Sequence, residues 1–86
     1  MFPFKENKKG NISIREFNFN VDQKELIWHK DKEDRIIEAV EDTNWMIQID
    51  NELPKKIEGK LFIPKETYHR VLKGNGNLVV KVIKLN

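Results

Sequence analysis

The sequence contains no cysteine, which excludes a disulfide framework, a thiolate metal site and a cysteine nucleophile together. Only two histidines occur, His29 and His69, so any imidazole chemistry must rest on that pair. No 18 apolar residues run together, and the N-terminal stretch has no apolar run of signal-peptide length, so a membrane partner is not expected and a cytoplasmic location is. A block of one charge is also missing. Sixteen basic and 14 acidic side chains interleave to a net charge of +2, so no nucleic-acid footprint is expected. Gly-rich phosphate loops, serine-nucleophile motifs and metalloprotease helices are absent as well.

What remains is a short chain with modest apolar content. Eighty-six residues suffice for one domain, 1–86, and bury a smaller fraction of their surface than a larger domain would. Self-association as a homodimer is therefore expected, with the strands around Phe17 and Phe19 as the contact. Residues 1–10 lack a sustained period and read as an arm, mobile or lying against a sheet edge.

Period-two alternation dominates the rest. Ile12 and Ile14, then Phe17, Phe19 and Val21, alternate with polar residues, and the change of parity between Ile14 and Phe17 predicts a bulge or turn near Arg15. Glu25–His29 reads as a short strand, Arg35–Val40 as another. Ile36, Ile37 and Val40 would also suit one face of a helix, so an α+β fold with residues 31–42 helical is the alternative. Trp45, Ile47 and Ile49 alternate strictly, Leu61–Ile63 is a short apolar run ended by Pro64, and Tyr68–Leu72 is extended. Lys73–Gly76 predicts a hairpin before the last strand, Leu78–Leu85. These elements give an all-β fold, an antiparallel sandwich or small barrel.

The segment Gly59-Lys-Leu-Phe-Ile-Pro64-Lys-Glu-Thr-Tyr-His69 resembles the second motif of the cupin family, written as glycine, a short apolar stretch, then Pro-x-Gly-x-x-His. Glu66 stands where the motif has its second glycine, and Lys73 where it often has asparagine. Trp28-His29-Lys30-Asp31 through Arg35 resembles a degenerate first motif, His-x-His followed by glutamate. There Asp31 replaces the second histidine and Arg35 the glutamate. The likeness spans residues 25–83 and implies a cupin-like jelly roll, a double-stranded β-helix that serves many chemistries and names no substrate.

On a strand, His29 and Asp31 would leave one face about 6–7 Å apart, within reach of one ion, with His69 joining from another strand. Two imidazoles and a carboxylate form a set that suits Fe(II) and also holds Mn, Ni or Zn. The bland alternative is a pair of hydrogen-bonded strand histidines and a turn aspartate. Arg35, one of three arginines, is a candidate clamp for an anionic ligand, against which stands a salt bridge to Asp31, Glu33 or Asp34. Trp28 and Tyr68 are candidate ligand contacts, Trp45 and Phe62 candidate core residues, and Arg70 a surface residue. The expected function is binding of a small molecule, with a divalent metal in the barrel. The alternative is a metal-free binding or interaction module using His29 and Arg35 as polar contacts.

Overall fold

A computed structural model describes residues 3–85. Among the described residues, eight strands form two antiparallel sheets. They are β1 (Phe4–Lys9), β2 (Ile12–Phe17), β3 (Asp34–Ala39), β4 (Met46–Ile49), β5 (Lys55–Lys56), β6 (Lys60–Ile63), β7 (His69–Leu72) and β8 (Leu78–Leu85). The larger sheet runs β1-β2-β8-β3-β6 and the smaller β5-β4-β7. The α+β alternative is thereby removed, because residues 34–39 are strand.

The inward-facing residues of the two sheets make one core. Val80 and Val82 of β8 lie between Arg15 and Ser13 on β2 and Ala39 and Ile37 on β3. Trp45, Ile47, Ile49 and Ile57 face them from the smaller sheet's side, and Trp45 is fully buried. The Trp45 indole N–H, which must be satisfied once buried, donates to the carbonyls of Gly76 at 3.0 Å and Asn75 at 3.3 Å. The strict alternation of residues 45–49 and the β-branched density of 78–83 thus mark central strands of the two sheets.

Several local expectations fail for identifiable reasons. Strand β2 carries no bulge: its register with β8 is unbroken from Ile12↔Ile83 to Phe17↔Leu78. Ser13, Arg15 and Phe17 therefore face inward, while Ile12 and Ile14 face out. Ser13 is tolerated inside because its hydroxyl donates to Glu6 at 2.6 Å. Phe62 likewise faces outward and is 53% exposed, not core. Register places Ile12, Ile83, Ile36 and Phe62 in one row across the outer face of the larger sheet. Phe17 belongs to the core, which leaves Phe19, beyond the end of β2, as the exposed member of the expected dimer contact.

Residues 25–29 are not a strand. A single 3₁₀ turn, Gln23–Glu25, is capped by the Asp22 carboxylate on Lys24 N–H, and it buries the following Leu26. Lys73–Gly76 is not a hairpin either, since β7 pairs with β4 and β8 with β2 and β3. It is a corner between the sheets, and a Cβ at Gly74 would sit 2.7 Å from the Trp45 backbone nitrogen. The N-terminal arm, in its described part, is the edge strand β1. Among the described residues no helix is long and apolar enough to cross a membrane.

Candidate metal centre

The chain brings the two histidines together through backbone pairing. His29 lies outside the regular strands, yet its N–H donates to the His69 carbonyl at 3.0 Å and its carbonyl accepts the return bond from the His69 N–H at 2.9 Å. The two rings stand 4.3 Å apart, centroid to centroid. Asp31 completes the group: one donor atom from each of His29, Asp31 and His69 lies within 4.8 Å of the others.

Each ring is oriented by a carbonyl two residues earlier. The Nδ1–H of His29 donates to Ile27 at 2.9 Å, and that of His69 to Thr67 at 2.8 Å. A carbonyl oxygen accepts only, so Nδ1 carries the proton and the neutral ring keeps its Nε2 lone pair free. Burial is the main influence on His69 and pushes its pKa below the ordinary value. The Thr67 carbonyl and Asp31 oppose that shift, whereas the charges of His29 and Arg35 reinforce it.

Asp31 supplies the unsatisfied atom. Its Oδ1 lies 3.4 Å from Arg35 Nη2, while its Oδ2 lies 3.3 Å from His69 Nε2 and is buried without a hydrogen-bond partner. Two acceptors therefore face each other with no proton between them. A divalent cation would satisfy both, because ligands sharing one ion at bonds of about 2.1 Å stand roughly this far apart. The donor set, nitrogen, nitrogen and carboxylate oxygen, fits Fe(II) and also accepts Mn, Ni or Zn.

Arg35 points inward from β3 and is buried. It forms the salt bridge that its sequence neighbours suggest: Nε and Nη2 donate to Glu33 at 3.1 and 2.7 Å, with Asp31 close by. The Arg35 hydrogen bond holds the Glu33 carboxyl below its usual pKa range. Asp34 takes no part, as its carboxylate caps the Lys65 N–H instead.

A cavity of about 450 Å³ opens between the sheets beside this cluster. His29, Asp31, His69 and Arg35 line it together with Ile37, Ile47, Val71, Val80 and Val82. Trp28 and Tyr68 do not. Each is the neighbour of a candidate ligand histidine in sequence, and in extended chain neighbours point to opposite sides. Trp28 lies under the Arg70 guanidinium at 4.8 Å, and Tyr68 near the Lys30 ammonium at 5.4 Å. Arg15, which also lines the cavity, was not legible as a site residue, because Ile12 and Ile14 claimed the inward parity of its strand. It donates to Glu6 at 2.8 Å and covers the Phe4 ring at 4.6 Å.

The loop behind the cluster keeps the shape of the motif that it departs from. Glu66, at the motif's second glycine, has φ of 58°, in the left-handed region that glycine favours. Its N–H donates to the Asp31 carbonyl at 2.7 Å, so this turn ties the His69 segment to the backbone of Asp31.

No family model matches the chain, and no curated protein matches it in sequence. Solved structures do match in three dimensions. A cupin domain from Bordetella pertussis is 10% identical with a TM-score of 0.64, over 96% of this chain and 92% of that one. KdgF from Halomonas sp. is 15% identical with a TM-score of 0.64, over 96% of this chain and 77% of that one. FeII HppE is 11% identical with a TM-score of 0.64, over 86% of this chain but 41% of its own. At such identities the likeness establishes the architecture.

Proposed function

We propose that this chain, whose fold is the jelly roll of the cupins, is a metal-dependent small-molecule-binding protein, with a divalent transition metal held by His29 Nε2, Asp31 Oδ2 and His69 Nε2. The observation that carries this reading is the buried, unpartnered Oδ2 of Asp31 facing the lone pair of His69. Three protein donors leave open positions at which the ion would bind and polarise a ligand taken from the cavity. The chain's own residues set the conditions: carbonyls fix the ring tautomers, Arg35 and Glu33 orient Asp31, and apolar side chains line most of the cavity. The iron named with one structural neighbour makes Fe(II) the first ion to test.

Metal content of protein purified without an affinity tag, followed by calorimetric titration with Fe(II), Mn(II), Ni(II) and Zn(II), tests the reading. One equivalent should bind, and His29→Ala and His69→Ala should each abolish it while circular dichroism still reports a β fold. Wild-type protein that takes none of the four ions ends the metal reading and leaves the barrel as a metal-free binding module.

Self-association as a homodimer belongs to the same proposal. Support comes from the apolar row Ile12, Ile83, Ile36 and Phe62 on the outer face of the larger sheet, where a second copy would cover it.

A further inference from the structure

We infer that the ligand of this barrel is an organic acid with an apolar body, its acid group at the metal and Arg35 and its body between the two sheets. The inference rests on the metal reading above and names the chemical class that the site would take.

Charge at the polar end selects the headgroup. A divalent ion, the Arg35 guanidinium and the Lys84 ammonium, 4.0 Å from Glu33, would contribute four positive charges and Asp31 and Glu33 two negative ones, while a histidine that ligates an ion is neutral. Positive charge is left over beside a partly buried cluster, where an uncompensated charge is costly, so a negatively charged group on the ligand offsets it. Without the ion the same groups sum to zero and offer an acid no net attraction. Arg15 does not alter this sum because Glu6 pairs it, and Glu25 sits exposed at the rim, where water and salt screen it. Donors are also available. Arg35 commits Nε and Nη2 to Glu33, and its Nη1 makes no hydrogen bond among the described residues, which leaves N–H groups for a carboxylate oxygen.

The walls select the rest of the molecule. Beyond the polar cluster the cavity is bounded mostly by apolar side chains, among them Ile37, Ile47, Val71, Leu78, Val80 and Val82, with Arg15 and Glu25 as the polar exceptions. A polar body such as a sugar would bury hydroxyls against these walls without partners, at about 1–3 kcal/mol each. At about 30 Å³ per non-hydrogen atom, the share of a liquid water molecule, the cavity of about 450 Å³ holds about fifteen such atoms.

Octanoate, acetate, 1-octanol and octylamine, each titrated into Ni(II)-loaded and metal-free protein by calorimetry, test the inference. Octanoate should bind the loaded protein at least tenfold more tightly than acetate, 1-octanol or octylamine, and should not bind the metal-free protein. Arg35→Gln should weaken octanoate at least tenfold, with metal stoichiometry rechecked on the same sample. Ile37→Phe, which fills the cavity, should weaken octanoate and leave acetate unchanged; Val71→Phe replaces it if circular dichroism shows that Ile37→Phe is unfolded. Protein that takes Ni(II) but binds octanoate no better than octylamine or acetate overturns the inference and leaves the metal reading standing. Equal loss of octanoate and acetate in the cavity-filling variant overturns the placement of the apolar body. Protein that takes no metal overturns both readings.

Discussion

Replacing Asp31 by Asn should stabilise the metal-free protein and destabilise the metal-loaded one, a reversal of sign that follows from one atom. In the metal-free state Asp31 Oδ2 faces His69 Nε2 at 3.3 Å, acceptor to acceptor, and has no hydrogen-bond partner. An asparagine of the same shape places an N–H₂ there, and a donor then meets the His69 lone pair. An unsatisfied buried acceptor costs about 1–3 kcal/mol, and a hydrogen bond made in its place contributes about 1 kcal/mol. Part of this gain is offset because Arg35 loses the charge of a partner at 3.4 Å, although Glu33 at 2.7 Å remains. The net is about 1 kcal/mol, or roughly 4–8 °C in melting temperature for a chain of this size. With metal at a hundredfold its dissociation constant, the wild type gains about 2.7 kcal/mol from binding, and the variant, with a neutral amide for a carboxylate, gains much less. Thermal melts followed by circular dichroism in chelator and in saturating Zn(II) read both halves. An Asn variant that melts below wild type in chelator would refute the argument, since Oδ2 would then be a satisfied atom.

Three further outcomes are expected. Glu66→Gly should raise stability by about 0.5–1 kcal/mol in urea denaturation, because relief of a left-handed φ worth about 1–2 kcal/mol exceeds the added freedom of the unfolded chain and the loss of an exposed pair with Lys30; an unchanged or lower midpoint contradicts it. His69 is held below its ordinary pKa chiefly by burial, so the unfolded chain binds the extra proton first as pH falls. Its contribution to stability is therefore complete above pH 6.5 and is lost as pH drops from there toward the lowered folded value, and metal affinity should fall over the same range because the ion needs the neutral ring. Stability curves and metal titrations between pH 7.5 and about 5 check this, with His69→Asn flattening the stability curve. Phe62→Lys, which charges the outer apolar row, should turn dimers into monomers in sedimentation at unchanged secondary structure, and a wild type that is monomeric at high micromolar concentration removes the dimer.

Alternation at 45–49 and 78–83 and the strand stop at Pro64 are local properties, and the sequence by itself determined from them an antiparallel β fold, while the resemblance to the two cupin motifs singled out His29, Asp31 and His69 as candidate donors. It also suggested a salt bridge between Arg35 and its acidic neighbours, because side chains two apart leave the same face of a strand. Which face of a strand lies inside was decided only by the tertiary structure. A period of two says that sides alternate, not which side another sheet covers, and on β2 the covered side carries Ser13, Arg15 and Phe17 while Ile12 and Ile14 face out. The same reason explains Phe62, apolar yet outward, and the Lys73–Gly76 turn, whose flanking strands belong to different sheets. The meeting of His29 and His69, forty positions apart, depends on a backbone bridge that no local pattern encodes. The buried acceptor on Asp31, which argues most directly for a metal, exists only once three segments and the inward guanidinium of Arg35 have closed around it.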